Sequence, residues 1–326
     1  MKKLLFVFAL CLAASIPAVS QSPRTVLLEH FTNTRCSICA SKNPAFYQTL
    51  SGYPQVLHIS FHPSAPYSQC QFSLQNPTEN DNRTTFYNAY GSTPKVAMNG
   101  KILPASSSLI SSATLDAAIN QTSPIQVSAF EKRIGADSIM VKVVVRTTGA
   151  ITQSNVRLYV GVAENPVSYN APNGENIHHD VFRKALTAPD GNSITLPMLN
   201  DSIVVEFVYT SRKDWNINNI YSLAFVQRTD TKEVLNVGKS IRVLSNPNSV
   251  METNDGKFSI LSNHVSNKLI VTGFNPSKEL SYSIFDVVGH KIYEGSMSSS
   301  EIDVSNLITG IYYVRLENVV KKFVKQ

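Results

Sequence analysis

Arg24-Thr25-Val26-Leu27-Leu28-Glu29-His30-Phe31, residues 24–31, leads after four polar residues into Cys36-Ser37-Ile38-Cys39, residues 36–39. The first stretch is β-rich and reads as a strand. The second opens a segment, Cys36–Leu50, that can form a helix. Two cysteines at a strand-to-helix junction have specific chemistry, because a helix N-terminus stabilises a thiolate on the first of them. The second, one turn in, is shielded and can resolve a mixed disulfide. Three readings of the pair stay open: a redox-active couple, a plain stapling disulfide, or metal capture with a histidine such as His62.

Working outward, Gln55–Phe61 reads as a second strand, Thr78–Tyr90 as a polar helix and Lys95–Met98 as a strand. Asn99-Gly100 ends that strand with a strong hairpin signal, since both turn residues need positive φ. Leu109–Asn120 closes the zone as an amphipathic helix. The order β-α-β-α-β-β-α over residues 22–122 predicts an α/β layer. Residues 123–248 differ in character. Ile125–Ile134, Ser138–Thr147, Val156–Glu164, Ile203–Thr210, Ile220–Gln227 and Val234–Val243 alternate or are β-branched, and Asn, Asp, Gly and Pro separate them. This pattern predicts a β-sandwich. Ser245–Ser249 reads as a linker. The remainder, residues 251–326, is a smaller all-β zone with strands at Lys268–Thr272, Leu280–Val288, Lys291–Tyr293, Ile311–Leu316 and Val319–Val324. Gly289, Gly295 and Gly310 are expected at its turns.

Composition limits the function. The 326 residues carry 29 basic and 23 acidic side chains. The excess of six is spread as +2 over residues 1–20, +2 over 21–122, +2 over 123–250 and zero over 251–326. No segment is a basic patch, which argues against nucleic acid as a partner. Met1-Lys2-Lys3, the apolar run Leu4–Ala14 and the small residues Ala18-Val19-Ser20 read as a secretory signal peptide over residues 1–20. Bulky Leu10 before Cys11 argues against lipoprotein processing. No later run reaches the length of a membrane-spanning helix, so an integral helical membrane protein is not expected. Removal of the signal leaves Cys36, Cys39 and Cys70, an odd count in an exported chain. Cys70 sits in an insertion, Pro63–Pro77. It is either an accessory exchanging thiol or a buried one, and burial is the commoner fate of a lone cysteine.

Other candidates are weaker. His58 and His62 flank Ser60 on one strand face, and strand histidines there are more often hydrogen-bonded than metal-bound. In His178-His179-Asp180 adjacent strand residues point to opposite faces, which makes a poor chelating pair. Nucleophile-elbow, zincin and phosphate-loop motifs are missing, and no cofactor is expected.

Over residues 22–122 the chain resembles the thioredoxin fold. The resemblance rests on the C-x-x-C after Thr25–Phe31, on Pro44 five residues beyond Cys39, and on Thr93-Pro94 before the strand that ends in Asn99-Gly100. It implies catalytic roles for Cys36 and Cys39, a peptide-positioning role for Pro94 in the cis form, and a proton-relaying role for His30. Glu29, one residue away, points to the opposite strand face. Arg35 and Ser37-Ile38 depart from the reducing members of that fold and point to a less reducing couple.

Residues 22–245 resemble the exported family related to outer membrane protein twenty-eight. The residues that carry it are Leu27–Thr32, the C-x-x-C, Val162-Ala163-Glu164 and Asn176–Arg183. That family is described as surface adhesins without a settled activity. Residues 251–326 resemble the type A sorting domain of the type IX secretion system, through Tyr282–Tyr293, Ile302-Asp303-Val304 and Thr309–Leu316. The usual Pro-Asn-Pro start is replaced around Ser262-Asn263-His264. These resemblances imply a chain at the cell surface, at the outer membrane or outside the cell. Its expected partners are the translocon, through residues 251–326, and protein thiols or disulfides. The leading activity is thiol–disulfide exchange, and the rival is non-enzymatic surface binding on the same scaffold.

Overall fold

The computed structural model describes residues 21–243, 258–261, 264–272, 279–287, 290–316 and 319–326. The signal segment, the linker at Ser245–Ser249, the Gly289 turn and the substituted start at residues 262–263 lie outside them. The described residues fall into two compact units, one ending at Val243 and one beginning at Phe258. Among the described residues, helices are confined to the first unit.

The first unit opens with β1 (Leu27–Phe31), α1 (Ser37–Ser51), β2 (Leu57–Phe61), α2 (Gln71–Gln75), α3 (Pro77–Phe86), β3 (Lys95–Met98), β4 (Lys101–Ile102) and α4 (Ser112–Ile119). Strand β1 pairs in parallel with β2 and antiparallel with β3. All five residues of β1 are buried, as expected of a strand covered on both faces. Leu28 packs with Phe46, Val96, Ile110 and Leu115, while Leu27 and Phe31 join Ile59, Phe61 and Tyr87. Asn99 and Gly100 take φ of 47° and 91°, and the chain turns directly into β4, as Asn-Gly dictates. The short helix α2 was not legible: the insertion around Cys70 holds five helical residues.

The strands that follow are β5 (Ile125–Arg133), β6 (Ser138–Thr147), β7 (Val156–Glu164), β8 (Val181–Ala185), β9 (Ser202–Thr210), β10 (Ile220–Arg228) and β11 (Val234–Val243). One continuous hydrogen-bonded path runs β9-β6-β5-β11-β10-β7-β8-β2-β1-β3-β4. The zones expected at 22–122 and 123–248 therefore share a sheet. The link is β8, antiparallel to β7 and parallel to β2, where Val181 meets Ser60. Its five residues are too few to stand out as a strand in the sequence. At the other end β11 changes partner. Leu223–Gln227 pair with its first half, and Ala129–Lys132 pair in parallel with Ser240–Val243. Gly238 lies at this change, where an added Cβ would stand 2.4 Å from the Val127 carbonyl oxygen. Glycine is required there for close approach of two backbones. The apolar faces of β5, β6, β7 and β10 enclose a core of Val127, Val141, Val143, Leu158, Val160 and Val226.

Where the two layers meet lies a buried ion pair. Arg83 of α3 donates from Nε and Nη2 to both carboxylate oxygens of Glu29, at 2.5 and 2.9 Å. Tyr87 donates to the same carboxylate at 2.6 Å, and Gln227 of β10 accepts from Arg83 at 2.9 Å. The rings of Phe86, Tyr87, Tyr159 and Phe225 surround the guanidinium at 4.5–5.1 Å. Burial works against the Arg83 charge, but Glu29 outweighs it and holds the guanidinium pKa above its usual value.

The second unit contains β12 (Lys268–Thr272), β13 (Leu280–Phe285), β14 (Lys291–Met297), β15 (Glu301–Asp303), β16 (Gly310–Leu316) and β17 (Val319–Lys325). Its sheet of β14-β13-β16-β17 is antiparallel. Leu269, Val271, Ile284, Ile302, Val314 and Phe323 form its core. Gly295, expected at a turn, lies within β14. Its role is steric: a Cβ there would come within 3.0 Å of the Tyr282 hydroxyl.

Candidate functional site

Cys36 caps α1. Its backbone is extended, at φ −85° and ψ 111°, and its sulfur accepts the Cys39 N–H at 3.0 Å. The turn before it is set by Asn33, whose side chain accepts the Arg35 N–H at 2.9 Å and whose carbonyl accepts the Cys36 N–H at 3.1 Å. Cys36 and Cys39 form a disulfide. The Thr93 carbonyl oxygen lies 3.7 Å from the Cys36 sulfur, and the Thr93-Pro94 bond that follows is cis. The loop bearing Pro94 is thus brought to the disulfide. Arg35 turns away, donating from Nε to the Gln69 carbonyl at 2.8 Å. Cys70 is a free thiol, fully buried, and accepts from the Thr34 hydroxyl at 3.2 Å.

Both sulfurs are covered. Cys36 is 1% exposed and Cys39 0%, although Ile38 between them is 54% exposed. The central zone reaches the backbone at the first cysteine, from the excursion between β7 and β8. Asn173 donates from Nδ2 to the carbonyls of Asn33 and Cys36 at 3.3 and 3.2 Å, and its own N–H reaches the Thr34 carbonyl at 3.2 Å. The Glu175 carboxylate accepts from Asn173 at 2.6 Å and from Asn43 of α1 at 2.8 Å. Nothing in the sequence flagged Asn173 or Glu175. Their one signal is position, just before the Asn176–Arg183 stretch.

His30 lies on the α1 side of β1, with its ring 4.7 Å from Phe46 and 5.6 Å from His58. Glu29 faces the other way, into the ion pair with Arg83. Burial, followed by the nearby His58 and His62, pushes the His30 pKa well below the ordinary histidine value. His62 is lowered in the same way, by burial and then by His178 and Arg183. His58 meets Asp180 at 2.8 Å, and Tyr221 donates to the other oxygen of that carboxylate at 2.6 Å. His178 bonds the Tyr169 carbonyl, while the His179 ring lies tilted against Tyr47 at 4.3 Å. Among the described residues no three His, Cys, Asp or Glu side chains are grouped to hold a metal ion.

The buried neutral rings set a pH dependence. Their folded pKa values lie below the unfolded value near 6.5, so the unfolded chain takes up protons first as pH falls. Stability is full above that value and is lost as pH drops through the window beneath it, with His30 and His62 both contributing to the loss. Urea midpoints at pH 7.5 and 5.5 test this. Equal midpoints would mean that the native rings take up protons over the same pH range as the unfolded ones.

Comparison with known proteins follows this geometry. The family model described as outer membrane protein Omp28 matches residues 83–243, and that of a secretion system C-terminal sorting domain matches residues 262–326. No curated protein matches. Among solved structures, HBP35 of Porphyromonas gingivalis aligns over 93% of this chain and 98% of its own, at 15% identity and a TM-score of 0.58. At that identity the likeness concerns the fold alone. A domain of the outer membrane lipoprotein Omp28 from the same organism aligns over 36% of this chain and 86% of its own, at 18% identity and a TM-score of 0.28. No described helix is long and apolar enough to cross a membrane. Residues 83–243 thus match the Omp28 family and residues 262–326 a type IX sorting domain, and the chain is exported to the cell surface or outer membrane.

Proposed function

We propose that the chain is a non-enzymatic surface-binding protein that uses a thioredoxin-like layer as scaffold, with Cys36–Cys39 serving as a staple. The burial of both sulfurs carries this reading. An exchanger must present the attacked sulfur to a protein disulfide, and Cys36 is 1% exposed, with its carbonyl bonded by Asn173. The scaffold assignment is supported by the order β1-α1-β2, by the pairing of β1 with β2 and β3, and by the Pro94 loop beside the disulfide. The sandwich supplies a surface suited to contacts: Val204, Val208, Ile241 and Val243 are exposed on its strands.

A second reading, thiol–disulfide exchange, is favoured by one feature, the Thr93 carbonyl against Cys36 at the N-terminus of α1. In it Cys36 attacks, Cys39 resolves the mixed disulfide, Pro94 positions the peptide and His30 relays a proton. The reduction potential of the purified chain separates the two. A staple gives a value below about −300 mV, and a value between roughly −200 and −120 mV would sink the scaffold reading in favour of exchange.

A further inference from the structure

The segment bonded to the backbone around Cys36 is built differently from the core. Residues 171–175 are closed at their base by a two-residue antiparallel pair, Val167–Ser168 with Ile177–His178. The Ala171 N–H bonds the Glu175 carbonyl at 2.8 Å, the Gly174 N–H bonds the Ala171 carbonyl at 2.9 Å, and Gly174 has φ of 96°. Pro172, Gly174 and Asn176 are exposed, and Ala171 is the one buried apolar residue of the turn. A groove of about 430 Å³ separates it from part of α1, between Ala40, Pro44 and Tyr47 on one side and Glu175, Ile177 and His179 on the other. The segment is therefore held by polar contacts through Asn173 and Glu175, with little apolar burial. Such segments occupy the low end of the local stability range.

We propose that residues 171–175 form a strap that opens without unfolding of the core, and that reduction of Cys36–Cys39 proceeds only from the strap-open state. This concerns the rate of access and goes beyond the staple reading, which concerns the equilibrium. With the strap open, a thiolate of a small dithiol attacks the Cys36 sulfur. The Cys39 sulfur leaves with the bonding pair and takes a proton. The second thiolate of the reagent then closes a cyclic disulfide and releases Cys36, which is protonated in turn. Two electrons pass from the dithiol to the protein.

The test is the time course of reduction of the full chain by dithiothreitol, read by alkylation of the tryptic peptide that spans Cys36 to Lys42. Asn173→Ala removes the side-chain bonds to Asn33, Cys36 and Glu175, and is expected to speed reduction about thirtyfold, with a cooperative melt retained. Equal rates in the two folded proteins would overturn the strap. A second measurement holds even where the variant unfolds. In the native chain, reduction should be slowed relative to a free Cys-Ser-Ile-Cys peptide by the factor that protects the Asn173 amide from hydrogen exchange. Reduction faster than that amide opens would refute the gate. A potential in the exchanger range with a protected disulfide would remove the staple and leave the strap standing.

Discussion

Replacing Arg83 by methionine should lower the unfolding free energy by about 3–5 kcal/mol, because it leaves the Glu29 carboxylate buried without its cation. Glu29 is 0% exposed, and Tyr87 is the other group that bonds it. A single hydroxyl cannot offset the desolvation of a full charge. Glu29→Gln should cost less, since the guanidinium left without its anion keeps the new amide oxygen as an acceptor, together with Tyr87, Gln227 and the surrounding ring faces as partners. The informative experiment is the cycle. Glu29→Leu with Arg83→Met removes both charges, and the aromatic rings of Phe86, Tyr159 and Phe225 remain to pack the new side chains. The double variant should regain most of what the Arg83 single loses, measured as denaturant midpoints at constant slope. Losses that simply add would show that packing of the guanidinium among those rings, rather than charge pairing, is what holds the two layers together.

The other large effect is on delivery. Removing residues 262–326 takes away the segment that matches the sorting domain. The first unit keeps its own core without it. The truncated chain should therefore fold, enter the periplasm and stop there. Protease added to whole cells should digest the full-length protein and spare the truncation. Digestion of both to the same extent would remove the address function from these residues.

How much was legible follows from where the information lies. The alternation in Ser138–Thr147 and the β-branched run in Val156–Glu164 are local, so the strands of the sandwich could be read directly. Asn99-Gly100 was legible for the same reason, since a turn requirement is met by two adjacent residues. The sorting-domain resemblance rested on a contiguous motif and corresponds to the family match over residues 262–326. The site was legible in its parts and opaque in its state. Cys36, Cys39 and the Pro94 loop do converge. The side chain that bonds the Cys36 carbonyl is Asn173, 137 residues further on, in a stretch whose composition suggests only a loop. Arg83 gave no signal of its own, as one cation within a polar helix. Its role emerges only when α3, β1, β7 and β10 are assembled.

The strand Val181–Ala185 has a consequence for how the molecule is partitioned. It completes the edge of Leu57–Phe61 from more than a hundred residues downstream. An expression boundary placed near residue 122 would strip that edge and expose the backbone of a strand whose last four residues are buried in the intact chain. Unpaired apolar edges recruit other strands. The block from residue 21 to 243 is accordingly the smallest piece that can be moved, fused or inherited without creating a self-associating surface, even though its two ends differ in composition.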